Sequence, residues 1–314
     1  MTLEAKNLQE MDFRANHELV VNGTLFPEDF EKIDDEIIRV AETELEMIKL
    51  LSQKGVVDAS YTVGDLVAKY NKSSEMTPAN VSMDIATTPE KDRVTFSRSG
   101  VPLPVYSKAF QLNERQIESF RKHGNLESEH MTQAIRTVAQ AAENMCVAGE
   151  TSIGEIEGTV LQGLTTFTDR NTFTISNAWT GSSADPVTDV SDMIDLLKQD
   201  GYRGPYTLFL PDNVWKVLGL DYSTVKGDNT LFDRLMAMPK IESIVNLSAL
   251  PSGNVVLLQV TKDVVDLAVA RDIVAFPEPV TKVGVYDFTV QAIMALRLKS
   301  DKNGNCGLCH ATGA

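Results

Sequence analysis

Apolar positions along the chain follow two periods in turn, and each period predicts an element. From Pro27 onward, Phe30, Ile33, Ile37, Val40, Ile48 and Leu51 recur at three- and four-residue steps, with Glu44 as a polar interruption. That spacing predicts an amphipathic helix. Pro27 suits its first position, and Glu28, Asp29 and Glu31 suit the positive end of its dipole. Asn113 to Glu118 opens a second helix that breaks at His123-Gly124-Asn125. A long helix is then expected from about Leu126 to Ala148. Its apolar stripe is Met131, Ala134, Ile135, Val138, Ala139, Ala142, Met145 and Cys146. It would reach about 35 Å, and Gly149 is placed to end it.

The two-residue period marks the strands. Arg93 to Ser97 alternates, Ser99-Gly100 offers a turn, and Val101 to Val105 alternates back, which predicts a hairpin. Its return strand carries Pro102 and Pro104, and proline cannot donate to a ladder, so that strand must be an edge or stand off any sheet. A two-stranded hairpin is marginal alone, so this one is expected to pack against something else, such as another subunit. Between Val187 and Val260 helical and extended segments alternate: a helix over Val187–Gln199 capped by Asp185 or Asp189, a strand at Tyr206–Leu210, helices at Asp212–Leu218 and Thr230–Met238, and a strand at Val255–Val260. Val264–Ala270 reads as one more strand. The longest alternation follows: Tyr286, Phe288, Val290, Ala292, Met294, Leu296 and Leu298 take one face, and Asp287, Thr289, Gln291, Ile293, Ala295, Arg297 and Lys299 the other. From Tyr286 to Leu298, thirteen residues of this kind make a strand about 40 Å long, roughly double the usual length.

Composition and charge narrow the function classes. Of 314 residues, 43% are hydrophobic and 23% charged, which is a globular balance rather than a disordered or fibrous one. Forty-four acidic residues against 29 basic ones leave a formal charge of −15, which disfavours a dedicated nucleic-acid reader or a lipid-bound protein. Nine acidic residues between Glu28 and Glu46 fall mostly off the apolar stripe and read as a solvated face. The polar stretch from Met1 to Asn16 does not read as a signal peptide, and three cysteines make no disulfide framework, so a reducing cytoplasm is expected.

Candidate chemistry is sparse. Cys306-Gly-Leu-Cys309-His310 spells the haem-attachment motif, in which two thiols bind the porphyrin and the adjacent imidazole ligates iron. It stands close to the C-terminus among Gly304, Gly307 and Gly313, so the plain expectation is a small-residue tail with incidental cysteines. An alternative keeps the motif as a thiol or haem redox centre. Cys146 lies on the helical stripe as a buried small hydrophobe. His123 and His130 flank a helix break, where capping or solvation is expected. Asp34-Asp35-Glu36 lie within one turn and form no prepared acid–base pair. No catalytic, cofactor or metal residues are expected.

The order of elements resembles the major capsid proteins of tailed phages, the Hong-Kong-97 fold, and the related encapsulin (linocin-like) shell proteins. Phe30-Glu-Lys-Ile33-Asp34 through Lys54-Gly-Val-Val-Asp58 is similar to the encapsulin N-terminal helix and the strand after it. Val105-Tyr-Ser-Lys-Ala-Phe110 through Ile117-Glu118 resembles the return of the hairpin into the spine helix. Ala141-Ala-Glu143 through Gly149, then Ile156-Glu-Gly158 and Gly163-Leu164, resembles the helix end and the entry to an inserted domain. Gly204-Pro205-Tyr206 through Leu210-Pro211 resembles that domain's first central strand. The resemblance spans about residues 27–300.

It implies an α+β fold in six parts: an N-terminal arm at 1–26, a helix and connection at 27–74, an extended hairpin loop at 75–108, a peripheral domain of spine helix and long strand at 109–155 and 265–300, an axial α/β domain at 156–264, and a C-terminal tail at 301–314. The implied function is a major capsid protein that self-assembles as hexamers and pentamers into an icosahedral shell around double-stranded DNA. Arg93, Phe96, Val101, Leu103 and Val105 of the extended loop are the expected assembly residues. Portal and scaffolding or decoration proteins are the expected partners, DNA is touched nonspecifically, and no membrane is involved. The location would be the virion, after assembly in the host cytoplasm. Segments before the first helix and after the long strand look like viral arms and favour the phage over an encapsulin enclosing a cargo enzyme.

Overall fold

The computed structural model describes residues 37–40, 43–79, 81, 83, 91–116, 129–181, 184–219, 230–279 and 284–314. Its first elements are α1 (Glu46–Gln53), β1 (Val57–Asp58), β2 (Val67–Ser73), β3 (Phe96–Pro102), β4 (Val105–Asn113) and α2 (Glu129–Ala148). There follow β5 (Gly149–Glu150), β6 (Leu161–Gln162), β7 (Asn171–Thr174), α3 (Pro186–Gln199), β8 (Tyr206–Leu210), α4 (Asp212–Leu218) and α5 (Leu231–Met236). The chain closes with β9 (Ile241–Asn246), β10 (Asn254–Leu258), β11 (Val265–Pro277), β12 (Val285–Leu298) and β13 (Leu308–Thr312). One sheet is ordered β1-β11-β12-β4 and another β7-β13-β10-β8-β9, with two-stranded ribbons β2-β3 and β5-β6.

The chain divides into two compact units. The first comprises Met1–Glu44, Val105–Ala139 and Arg271–Ala292. Here Phe110 of β4 stacks on Phe288 of β12 with ring centroids 5.2 Å apart. The Glu114 amide donates to the Gly284 carbonyl at 3.0 Å, closing the end of that pair. Met131, Ala134, Ile135, Val138 and Ala139 of α2 are buried, as the stripe requires. Each large side chain among them stabilises the unit by roughly 1.5–3 kcal/mol. Arg136 reaches Glu44 at 2.8 Å.

The second unit comprises Leu45–Pro104, Gln140–Ala270 and Ile293–Ala314. Its core packs α3, α4 and α5 on the five-stranded sheet through Trp179, Met193, Leu197, Tyr206, Leu208, Val255, Leu257, Cys309 and Ala311. Asp185 caps α3 by accepting the Thr188 amide, and Thr230 with Asp233 forms a capping box on α5. The Trp179 indole donates to Asp189 at 2.7 Å, which satisfies a polar group that burial would otherwise leave unpaired.

Four expectations change. The helix predicted from Pro27 to Leu51 is interrupted at Leu45, whose backbone is extended; residues 37–40 and 43–44 are helical before it, and α1 follows. Ser99-Gly100 is not a turn but lies inside β3, which pairs antiparallel with β2 from Val67↔Pro102 to Ser73↔Phe96. Glycine is needed at 100 because a Cβ there would lie 2.5 Å from Val67 Cγ1. The hairpin strands are therefore β2 and β3, and Val105 belongs to β4 beside the long strand. Most plainly, 301–314 is not a tail or an arm. β13 is an inner strand of the five-stranded sheet, antiparallel to β10 and parallel to β7. The expected N-terminal arm, Asp34-Asp35-Glu36 and the break at His123-Gly124-Asn125 lie outside the described residues.

Candidate assembly surface

Of the expected assembly residues Phe96 and Val101 lie on the ribbon β2-β3, Arg93 and Leu103 flank β3 and Val105 opens β4, and burial sorts them. Val67, Ala68, Val101 and Pro102 are buried at its root, and beyond them no ribbon residue is fully buried. Leu103 follows in the same core, its amide donating to the Leu66 carbonyl at 2.9 Å. Val101 and Leu103 are 8% and 7% exposed, so they anchor the ribbon within its own chain rather than face a neighbour. Phe96, at the far end of β3, is 70% exposed, and Arg93 and Val105 are also at the surface. The structure adds residues that periodicity passed over: Val63, Leu66, Met76, Val81 and Met83 are exposed apolar side chains in the segments before and after β2. Val63 and Met76 stand alone among polar neighbours, and Val81 and Met83 fall in a stretch, Ser74 to Asp92, that reads as polar overall. Single exposed apolar residues are ordinary, so the informative one is Phe96, which stands on a strand with no core beneath it.

A polar network holds the ribbon's root. Arg297 of β12 is buried and uses all five of its N–H donors. Nε and Nη2 donate to the two oxygens of Asp266 at 2.7 Å each, and Nη2 also reaches Asp58 at 2.9 Å. Nη1 donates to the Tyr61 hydroxyl and to the Lys69 carbonyl of β2, the latter at 3.1 Å. Burial lowers the pKa of a guanidinium, but Asp266 and Asp58 beside it more than offset this and raise it further. Farther out, Lys72 pairs with Asp169 at 2.9 Å and Lys69 with Glu157 at 2.7 Å.

The cysteine motif belongs to the same unit and is inaccessible. Cys306, Cys309 and His310 are all buried, and both thiols are free rather than disulfide-bonded. Burial pushes the Cys306 thiol up to about 11 and the Cys309 thiol up to about 12, so neither is a ready thiolate. Arg170 donates to His310 Nδ1 at 3.3 Å, so the proton sits on Nε2, which donates to Asn254 Oδ1 at 2.9 Å. Burial, then the Arg170 charge, lowers the imidazole pKa. Both ring nitrogens are thus used within the fold, and the redox reading has no accessible group to work with. Among the described residues no three His, Cys, Asp or Glu side chains converge as a metal site, and no helix is long and apolar enough to cross a membrane.

A family of unknown function, DUF6260, matches residues 21–311. The chain belongs to that family. No curated protein matches it in sequence. Solved structures do match in shape. The virus-like particle of Pyrococcus furiosus is 16% identical with a TM-score of 0.62, over 90% of this chain and 98% of that one. The capsid of Myoviridae phage XM1 is 12% identical with a TM-score of 0.63, over 86% and 93%. The capsid of an empty GTA particle is 13% identical with a TM-score of 0.54, over 83% and 96%. At such identities the likeness is one of fold, and the fold of this DUF6260 member is the Hong-Kong-97-type capsid fold, α+β in class.

Proposed function

We propose that the chain is the major capsid protein of a tailed phage, self-assembling as hexamers and pentamers into an icosahedral shell around double-stranded DNA. The observation that carries this reading is the ribbon: two strands with a buried root and an exposed far end that carries Phe96, on a fold otherwise seen in shells. An exposed phenyl ring on a ribbon with no core of its own suits a contact with another protein surface, and a second copy is the surface that a shell supplies. Phe96 and Val105, with Met76, Val81 and Met83, are the proposed apolar contacts, and Arg93 the proposed polar one. Many modest contacts of this kind sum to a stable particle through multivalency. Portal and scaffolding or decoration proteins would complete the assembly. DNA would be touched nonspecifically, as suits a chain of charge −15, and the virion would be the final location after assembly in the host cytoplasm. In this reading β12 and α2 form the peripheral domain, and the five-stranded sheet with its helices the axial domain.

A second reading, an encapsulin-type shell around a cargo enzyme, is supported by the likeness to the Pyrococcus furiosus particle, which this chain spans over 98% of its length. Electron microscopy of particles from the natural source, with absorbance at 260 and 280 nm, tests both. Large shells rich in nucleic acid support the phage reading, small protein-filled shells support the second, and a few-subunit oligomer contradicts both.

A further inference from the structure

The direction in which the ribbon leaves the chain cannot be set by apolar packing. From Lys69 to Ser73 and from Phe96 to Gly100 no residue is fully buried, and a lone two-stranded ribbon has little stiffness of its own. What holds this stretch of β2, about 13 Å long, is a row of polar contacts, and those nearest its far end come from the segment after the long strand. The Lys302 amide donates to the Ser73 carbonyl at 3.1 Å, and Lys302 Nζ donates to the Thr95 hydroxyl at 2.9 Å. Lys302 thus touches the end of β2 and the residue just before β3. Beside it, Asp169 accepts both Lys72 Nζ and the Ser300 hydroxyl, and its carbonyl accepts Cys306 Sγ at 3.1 Å.

This contact point stands on a stiff base. Asp301 accepts the Asn303 and Asn305 amides at 2.8 Å each and the Asn305 side chain at 2.9 Å, which closes a tight turn with Lys302 on it. Ser300 and Cys306 bridge across the neck of that turn. Gly307 then leads into β13 with no room for a side chain, since a Cβ there would lie 2.8 Å from Val264. The turn is therefore fixed at one end to β12 and at the other to the core of the five-stranded sheet. The turn fixes the Lys302 backbone, and the exposed side chain reaches Thr95 from there.

We propose that the turn 300–306 is a latch that sets the ribbon's direction, with Lys302 and Asp169 as positioning residues for assembly. The proposal rests on the shell reading above for its consequence, but not for its structural part. It explains why a chain would bury its last strand so firmly beside an extended loop whose aim decides which neighbour it meets.

Hydrogen–deuterium exchange on the purified full chain, with particle imaging of the same preparations, tests it. The variants are Lys72→Met/Lys302→Ala, Asp169→Asn and, as the conservative control, Lys302→Arg. The expected result is roughly tenfold faster exchange in Lys69–Ser73 and Phe96–Gly100 for the first two, with protection of Tyr206–Leu210 and Asn254–Leu258 unchanged, and shells lost or changed in diameter. Lys302→Arg should restore both. Unchanged ribbon exchange overturns the latch, and faster exchange with shells of unchanged yield and diameter overturns its role in assembly. If the unaltered chain forms no shell, the shell reading fails, while the exchange result still decides whether the turn holds the ribbon.

Discussion

Arg297 and Asp266 meet as a two-pronged pair, Nε to Oδ1 and Nη2 to Oδ2, each at 2.7 Å, with both side chains buried. Such a pair adds little net stability over apolar packing, but breaking it leaves a charge without its partner. Arg297→Met strands Asp266 next to Asp58, with only Lys299 at 2.7 Å to compensate. We expect a loss of about 3–5 kcal/mol by urea unfolding. A loss below about 1 kcal/mol would mean the network does not hold the root.

Glu143 gives the fold a pH dependence of known sign. Its carboxylate, 4% exposed, accepts the amides of Met47 and Ile48 at the start of α1. Burial pushes its pKa up to about 7, against the pull of those amides, with the nearby Glu46 charge adding to the rise. The folded state therefore holds this proton more tightly than the unfolded one. The stability this supplies is complete below about pH 4.5 and is lost as pH rises through about 7. Glu143→Gln keeps a carbonyl acceptor and removes the charge. Unfolding free energies from pH 5 to 8 should decline with pH less in the variant than in the parent, and identical slopes would contradict the assignment.

Deleting Leu308–Ala314 should unfold the second unit rather than trim it. The deletion removes a strand paired on both sides, together with Cys309 and Ala311 from the core and the Gly313 and Ala314 amides that donate to Gly253. Circular dichroism and limited proteolysis should show loss of cooperative structure. A parental melting temperature would contradict the placement of β13. In the intact chain, Cys306 and Cys309 should resist thiol reagents until it unfolds.

Phe96→Ser separates folding from assembly. The side chain is largely solvated in the single chain, so its loss should change stability by no more than about 0.5 kcal/mol. Shell yield should fall at least tenfold by sedimentation. Parental yield would remove Phe96 from the contact.

Legibility in the sequence followed the strength of the local signal. The stripe from Met131 to Cys146 and the alternation from Tyr286 to Leu298 located α2 and β12 because one long period dominates each. Even so, Ile293, Ala295 and Arg297, placed on the other face of β12, are also buried, because the strand is covered on both sides at that end. β2 escaped notice because Val-Ala-Lys-Tyr-Asn-Lys-Ser has no apolar alternation: its partner is another solvated strand rather than a core. Gly100 looked like a turn because glycine serves close strand approach as readily as reversal. β13 was hidden because Leu-Cys-His-Ala-Thr is short, lies between Gly307 and Gly313 and has no alternation of its own, and only the β7 and β10 ladders on either side make it a strand. The assembly surface was half legible: Phe96 is where alternation placed it, whereas Val101 and Leu103 continue the same pattern into the core.

Electron microscopy of the purified full-length chain tests the central claim most directly. The account predicts closed icosahedral shells from the parent, and folded single subunits or open oligomers when the exposed part of the ribbon, Lys69–Ser73 and Phe96–Gly100 with the segment that joins them, is replaced by a short turn. Shells of normal size from that replacement, or no shell from the parent under any assembly condition, would contradict it.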